Sequence, residues 1–294
     1  MVAYPQLSKQ QQKKCPKLRQ AAIALPVLFE DSTHQLWHCK TVEGPMILKV
    51  CNQKNVESSP FWHGMNSLFN ADFPTSLSNI GVVYQKMAQM CDLAIPRYIA
   101  SASNIFVLST WLDGQAVDAS QISDAMIAQL ANHLVKSHGQ TQLTWGPFDQ
   151  ADIPAQSWSK QLSKTIQQLA ENQRTVVANS ALTQALQQAQ VITVDEFVPI
   201  MPDLRWDQFL QKNNQLSALV DLDAFVIGPR ELEFVLLEFI LSQQQADLFK
   251  QHYQRYRPIP DLTEVRTCYR VLLFLMTVLG EKSLKNWLTV PAKF

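Results

Sequence analysis

Glycine is the residue whose placement most restricts this chain. Its 294 residues include eight glycines, at 44, 64, 81, 114, 139, 146, 228 and 280, and the closest two, Gly139 and Gly146, lie seven positions apart. A dinucleotide-binding G-x-G-x-x-G turn needs glycines two and three apart, and a Walker A loop needs them five apart. The nucleophile elbow G-x-S-x-G needs a spacing of four. None of these can be written with the glycines present. A nucleotide bound by this chain must be gripped without those loops.

Composition narrows the class further. With 47% hydrophobic and 17% charged residues the chain can build a substantial core, and disorder is not expected. Lysine plus arginine equal aspartate plus glutamate at 25 each. That balance lacks the basic footprint of a nucleic-acid binder, and no nucleic acid is expected as a partner. The five cysteines (15, 39, 51, 91, 268) are odd in number and contain no C-x-x-C pair. They read as reduced, mostly buried thiols, pointing to the cytoplasm. His34 with His38, and His133 with His138, show no H-E-x-x-H pattern, so no histidine-held metal is expected.

The basic stretch Lys9–Arg19 precedes the apolar run Ala21–Phe29. Pro26 interrupts that run and Glu30 and Asp31 follow it, so the region reads as a leading helix feeding a first strand. The longest later apolar stretch, Val271–Leu279, is about half of a membrane span. No membrane association is expected.

Along the chain, Leu36–Cys51 reads as a β-hairpin around the turn Val42-Glu43-Gly44-Pro45. Its second run places Ile47, Lys49 and Cys51 on one face and Met46, Leu48 and Val50 on the other. A lysine inside such an apolar strand either snorkels at an edge or aims at an anion. Helices are predicted around Phe61–Asn70, Asn79–Met90 and Ile122–Ser137, the last with Ser120 as cap and Gly139 as stop. The segment IPRYIA comes next, and then a predicted strand, IFVLSTWL, from Ile105. Residues 156–190 read as two Gln-rich helices with a break near Thr175–Asn179. After Phe197 come two short β segments joined by Lys212-Asn213-Asn214. Pro229 then opens a helix over Glu231–Leu241 from its first position, and a hydrophobic helix spans Val265–Leu279. Strands early and helices late suggest an α+β architecture of two lobes, residues 1–109 and 110–294.

Three residues stand out as candidates: Lys49 on a strand, Asp203 in a loop, and Asp221 after an apolar strand. Phosphoryl transfer needs such a set: a cation on the nucleotide phosphates, a carboxylate orienting the attacking hydroxyl, and a carboxylate holding Mg²⁺. The flanking sequence adds specificity. MPDLRWDQFL followed by ALVDLDAFVIGP resembles the catalytic and metal-binding loops of the aminoglycoside phosphotransferase and choline kinase-like family. GPMILKV, IPRYIA, FVLSTWLDG and HLVKSHG resemble, in order, that family's lysine strand, V-P-R segment, hinge and L-H helix end. The resemblance runs from about residue 22 to 280.

It implies a bilobal protein kinase-like fold, with a small, mainly β N-lobe and a larger helical C-lobe. The implied activity is ATP- and Mg²⁺-dependent phosphorylation of a small-molecule hydroxyl. Asp203 is the implied catalytic aspartate; Gln208, Asp221 and its neighbour Asp223 are the implied metal ligands. Lys49 would hold the nucleotide phosphates, and Ser109, Thr110, Trp111 and Leu112 would meet the adenine. Glu233 falls near the acidic residue that follows in such sequences.

The chain also departs from the family pattern. Met201-Pro202 replaces His-Gly, and Gln208 replaces asparagine. No glutamate stands where the partner of Lys49 is expected. The nucleotide-covering turn, Glu30–Gln35, has no glycine. These departures keep a second reading open, in which the chain is a catalytically degenerate kinase-like binding or scaffold module.

Overall fold

The computed structural model describes residues 2–26, 29–173 and 179–294. The expected leading helix shrinks to one turn, α1 (Lys9–Gln12), followed by an extended segment and a short strand, β1 (Ile23–Ala24). Pro16 cannot continue a helix. Gln12 is meanwhile used locally, bonding the Tyr4 N–H and the Leu7 carbonyl. Tyr4 and Leu7 are thereby held against the outer face of the first sheet.

The hairpin forms as expected from β2 (His34–Thr41) and β3 (Gly44–Cys51), with Gly44 at φ 109° in the turn. Three helices follow: α2 (Gln53–Ser58), α3 (Pro60–Phe69) and α4 (Ile80–Met90). Pro60 sits in the first turn of α3, and the Ser59 hydroxyl accepts from the Trp62 N–H at 3.3 Å. β4 (Tyr98–Ala102) and β5 (Phe106–Thr110) complete an antiparallel sheet of order β1-β2-β3-β5-β4. Period-two alternation gives this sheet two characters. Cys39, Met46, Leu48, Val50, Phe106 and Leu108 form an apolar cluster on its outer face. His34, His38, Ile47, Lys49, Val107 and Ser109 belong to the opposite face.

Beyond Thr110 the chain is mostly helical. Short strand β6 (Gln115–Ala116) precedes α5 (Asp124–His138). Its cap is Ser123, accepting from Met126 N–H at 3.2 Å, and not the expected Ser120. Ser120 is occupied by Asp118, to which its backbone N–H and hydroxyl both donate at 2.8 Å. Next come β7 (Thr144–Pro147), β8 (Ile153–Pro154), α6 (Trp158–Asn172) and α7 (Asn179–Val191). The expected helix break at Thr175–Asn179 lies almost wholly outside the described residues.

β9 (Val198–Ile200), β10 (Phe209–Lys212), β11 (Gln215–Leu219) and β12 (Val226–Gly228) follow, with Asn213 and Asn214 both left-handed in the β10–β11 turn. α8 (Arg230–Ile240) takes Pro229 as its N-cap rather than its first residue. α9 (Gln243–Tyr253), α10 (Arg266–Leu275) and α11 (Leu284–Leu288) end the chain. α10 stops before the expected Leu279 because Thr277 and Leu279 turn left-handed, a reversal that apolar spacing cannot report.

The principal core gathers around α8 and α10 and reaches α3 and α4. Two glycines serve close packing there. A Cβ on Gly228 would meet Ile200 at 2.6 Å and Phe69 at 2.9 Å, and one on Gly64 would meet Met276 at 2.5 Å. All five cysteines are free thiols. Among the described residues, no helix is long and apolar enough to cross a membrane.

Candidate active site

Pairing in the first sheet sets Lys49 opposite Leu36 and Val107 and turns it away from the apolar cluster. Its ammonium is buried and meets Asp221 at 2.5 Å and Asp223 at 3.0 Å. Residues 172 and 174 positions apart in sequence thus converge on one cleft. Burial would lower the Lys49 pKa, but the two carboxylates outweigh it and hold the pKa well above the usual lysine value. Burial likewise opposes ionisation of Asp221, and Lys49 wins, holding that carboxyl down to about 2.

The two aspartates differ in setting. The Asp221 side chain is 41% exposed and that of Asp223 is 3% exposed. Asp223 keeps one oxygen, Oδ1, buried without a hydrogen-bond partner. Its other oxygen lies 3.8 Å from His34 Nδ1. Burial pushes His34 below the ordinary imidazole pKa, with Asp223 pulling the other way. The expected glutamate partner of Lys49 is absent, and Tyr84 of α4 lies buried near the ammonium instead.

Asp203 sits past β9 in a loop with two supports. At its root, Glu233 accepts from the Met201 N–H at 2.8 Å and meets His138 at 2.7 Å; His138 in turn meets the Tyr253 hydroxyl at 2.8 Å. All three side chains are buried. Nearer the tip, Gln208 accepts from the Arg205 N–H at 2.8 Å and donates to the Asp203 carbonyl at 3.1 Å. The amide oxygen expected to meet a metal is therefore engaged in bracing the loop. Asp203 Oδ1 is buried without a partner. Burial, then the charge of Asp221, push its carboxyl up to about 7 against the pull of Arg205.

The hinge residues divide. Ser109 is buried in β5. The Thr110 and Trp111 N–H groups are spent on the Arg97 and Pro45 carbonyls at 2.9 and 3.1 Å. Among the described residues, no acceptor meets the Leu112 N–H. The Trp111 ring stands edge-on to His38 at 4.8 Å.

Three neighbours of this site were not among the expected site residues: His34, Tyr84 and Arg205. His34 lies in the quoted covering turn and Arg205 in the quoted catalytic segment, so their positions were visible without their roles. Nothing in the sequence marks Tyr84.

The fold has counterparts in solved structures. The chain aligns over 97% of its length with 98% of macrolide 2′-phosphotransferase MphH from Brachybacterium faecium, at 11% identity and TM-score 0.59. It aligns over 98% of its length with 97% of APH(2″)-IIa in a streptomycin–ATP ternary complex, at 14% identity and TM-score 0.60. The chain has a protein kinase-like fold. A putative fructosamine-3-kinase from Haemophilus somnus 129PT is similar over 91% of this chain and 90% of its own, at 14% identity and TM-score 0.56. No protein-family model matches the chain, and no curated protein matches it in sequence. In this fold the first sheet is the heart of the small N-lobe, and α5 to α11 build the larger C-lobe, with Lys49 of the first in contact with Asp221 and Asp223 of the second.

The donor set suits Mg²⁺. Among the described residues, no three His, Cys, Asp or Glu side chains gather as a ready-made metal cage. Mg²⁺ is ordinarily held by one or two carboxylates, with substrate phosphates and water completing the shell. The partnerless Oδ1 of Asp223 and the exposed Asp221 carboxylate fit that requirement.

Proposed function

We propose that this chain transfers the terminal phosphoryl group of ATP to a hydroxyl of a small molecule. The observation that carries this reading is the convergence of Lys49, Asp221 and Asp223 in one cleft of a kinase-like fold. Asp203 is the acceptor-side base. With its carboxyl near 7, it exchanges protons around neutral pH, as a general base should. Lys49 exchanges its carboxylate contacts for nucleotide phosphate oxygens. Asp221 and Asp223 hold Mg²⁺, which when bound neutralises phosphate charge. Gln208 fixes the loop rather than the metal. The Leu112 N–H meets the adenine edge, and the lobes divide at residues 109–110. ATP is carried over from the APH(2″)-IIa complex as the donor.

A specific observation favours the degenerate alternative: Lys49 is already closed onto two carboxylates. A thermal-shift titration separates the readings. Mg·ATP at about 100 times its Kd should stabilise the protein by about 2.7 kcal/mol. No shift up to millimolar Mg·ATP would sink the phosphotransferase reading. Asp203→Ala should then keep the fold and the shift while lowering ATP turnover at least about 10²-fold. Mg·ATP binding without transfer across a panel of hydroxyl compounds would favour the binding module.

A further inference from the structure

Arg205 lies two residues beyond Asp203, on the loop that Gln208 braces. The single amide of Gln208 holds the backbone of both residues, fixing the spacing of carboxylate and guanidinium. Each side chain feels the other's charge, yet no ion pair joins them. Arg205 instead gives its Nε and one Nη to Asp207 at 3.0 and 3.4 Å. The ring of Phe29, just before the glycine-free covering turn, lies 5.3 Å from its guanidinium carbon. The side chain remains 32% exposed. A guanidinium has five N–H donors, so those not used by Asp207 remain for another acceptor.

We propose that Arg205 is a catalytic residue that binds the oxygens of the phosphoryl group in flight, substituting for the backbone amides that a glycine-rich loop would supply. This rests on the phosphotransferase reading. In the step concerned, the bond from phosphorus to the bridging oxygen of ATP breaks and its electron pair leaves on ADP. A bond forms from phosphorus to the acceptor hydroxyl oxygen, whose proton passes to Asp203. Charge spreads over the equatorial oxygens of the transferring group, where a fixed arginine gives most. Phe29, itself half exposed, lies against the guanidinium and links the covering turn to the loop that carries Asp203. A lysine would keep the charge but lose the planar fork.

The test needs no knowledge of the acceptor. Binding of Mg·ADP is measured by calorimetry with and without aluminium fluoride, which mimics the planar phosphoryl group. The wild-type chain should bind the fluoride complex at least about 10²-fold more tightly than Mg·ADP alone. Arg205→Gln should lose at least about tenfold of that increment, with Mg·ADP affinity changed by no more than about twofold. Arg205→Lys should recover a minor part. Asp207→Asn breaks the same ion pair while keeping the guanidinium, and should retain most of the increment. If Arg205→Gln keeps the increment, or weakens Mg·ADP as much as the fluoride complex, the assignment fails while nucleotide binding stands. Equal losses in Asp207→Asn and Arg205→Gln would also overturn it, making Arg205 a structural partner only. If the wild-type chain does not bind Mg·ADP, this assignment and the phosphotransferase reading fall together.

Discussion

Two buried carboxylates of the C-lobe, Glu233 and Glu238, differ from the carboxylates of the cleft in one respect. Both oxygens of each glutamate are used. Glu233 holds the Met201 N–H and His138. Glu238 accepts from Arg266 at 3.1 Å, Arg270 at 2.6 Å and the Lys293 N–H at 2.9 Å. Asp203 and Asp223 each leave an oxygen buried and unpaired. Satisfied networks stabilise and fix one arrangement, while unpaired buried oxygens cost stability unless a ligand completes them. The root of the Asp203 loop is satisfied by the protein itself, while its tip keeps a buried oxygen without a partner.

The largest effect that could break this comparison is a loss of stability. Glu238→Ala should cost about 3–5 kcal/mol, because Arg270, whose side chain is 5% exposed, would keep its charge without a counterion. Asp223→Asn should cost less, about 1–2 kcal/mol, since Lys49 retains Asp221 as its counterion, yet it should weaken the Mg²⁺ dependence of nucleotide binding. Urea unfolding of both variants, with nucleotide titrations of the second, measures the contrast. Equal destabilisation would show that the cleft carboxylates are as structural as those of the base.

A middle-sized effect concerns pH. The Asp203 carboxyl is raised from 3.8 to about 7. Below about pH 4 it is protonated in both folded and unfolded chains, and its contribution to stability is fully present. As pH rises through 7 the folded protein must bear a buried charge, and that stability is lost. Three units correspond to about 4 kcal/mol at full weight, which solvent at the cleft mouth reduces to about 1–3. Asp203→Asn should therefore be the more stable protein at pH 8, with the gap closing near pH 4. Unfolding curves at the two pH values read it directly, and a gap of the same size at both would refute the assignment.

How much of this was legible in the sequence follows from what each feature depends on. The hairpin, α3, α4, α5 and the Asn-rich turn rest on local periodicity and turn chemistry, so they could be read. Lys49, Asp203 and Asp221 were singled out because the resemblance preserved their order, and the structure brings Lys49 to Asp221. The cap of α5 moved from Ser120 to Ser123 because the Ser120 hydroxyl donates to Asp118, and α10 ended early through a backbone reversal; neither leaves a periodic trace. The bonds joining Glu233, His138 and Tyr253 cross up to 115 positions of chain, so sequence offered two of their members as isolated matches and never the network. His34 and Tyr84 became part of the site only when the sheet and α4 brought them to Lys49.

The smallest effect tests where one residue belongs in the comparison. Gln208 was expected among the metal ligands, at the unfinished tip, but its amide closes two backbone bonds and is 2% exposed. Gln208→Asn restores the residue of the family pattern and shortens the side chain by one methylene, too short to span from the Arg205 N–H to the Asp203 carbonyl in the present backbone. The lost bond should cost about 0.5–1.5 kcal/mol, with a fall in turnover of no more than about tenfold as Asp203 and Arg205 lose their fixed spacing. Steady-state kinetics with varied Mg²⁺ decide the point. If Gln208→Asn instead tightens the apparent Mg²⁺ affinity at unchanged stability, the amide belongs to the metal and the brace is incidental.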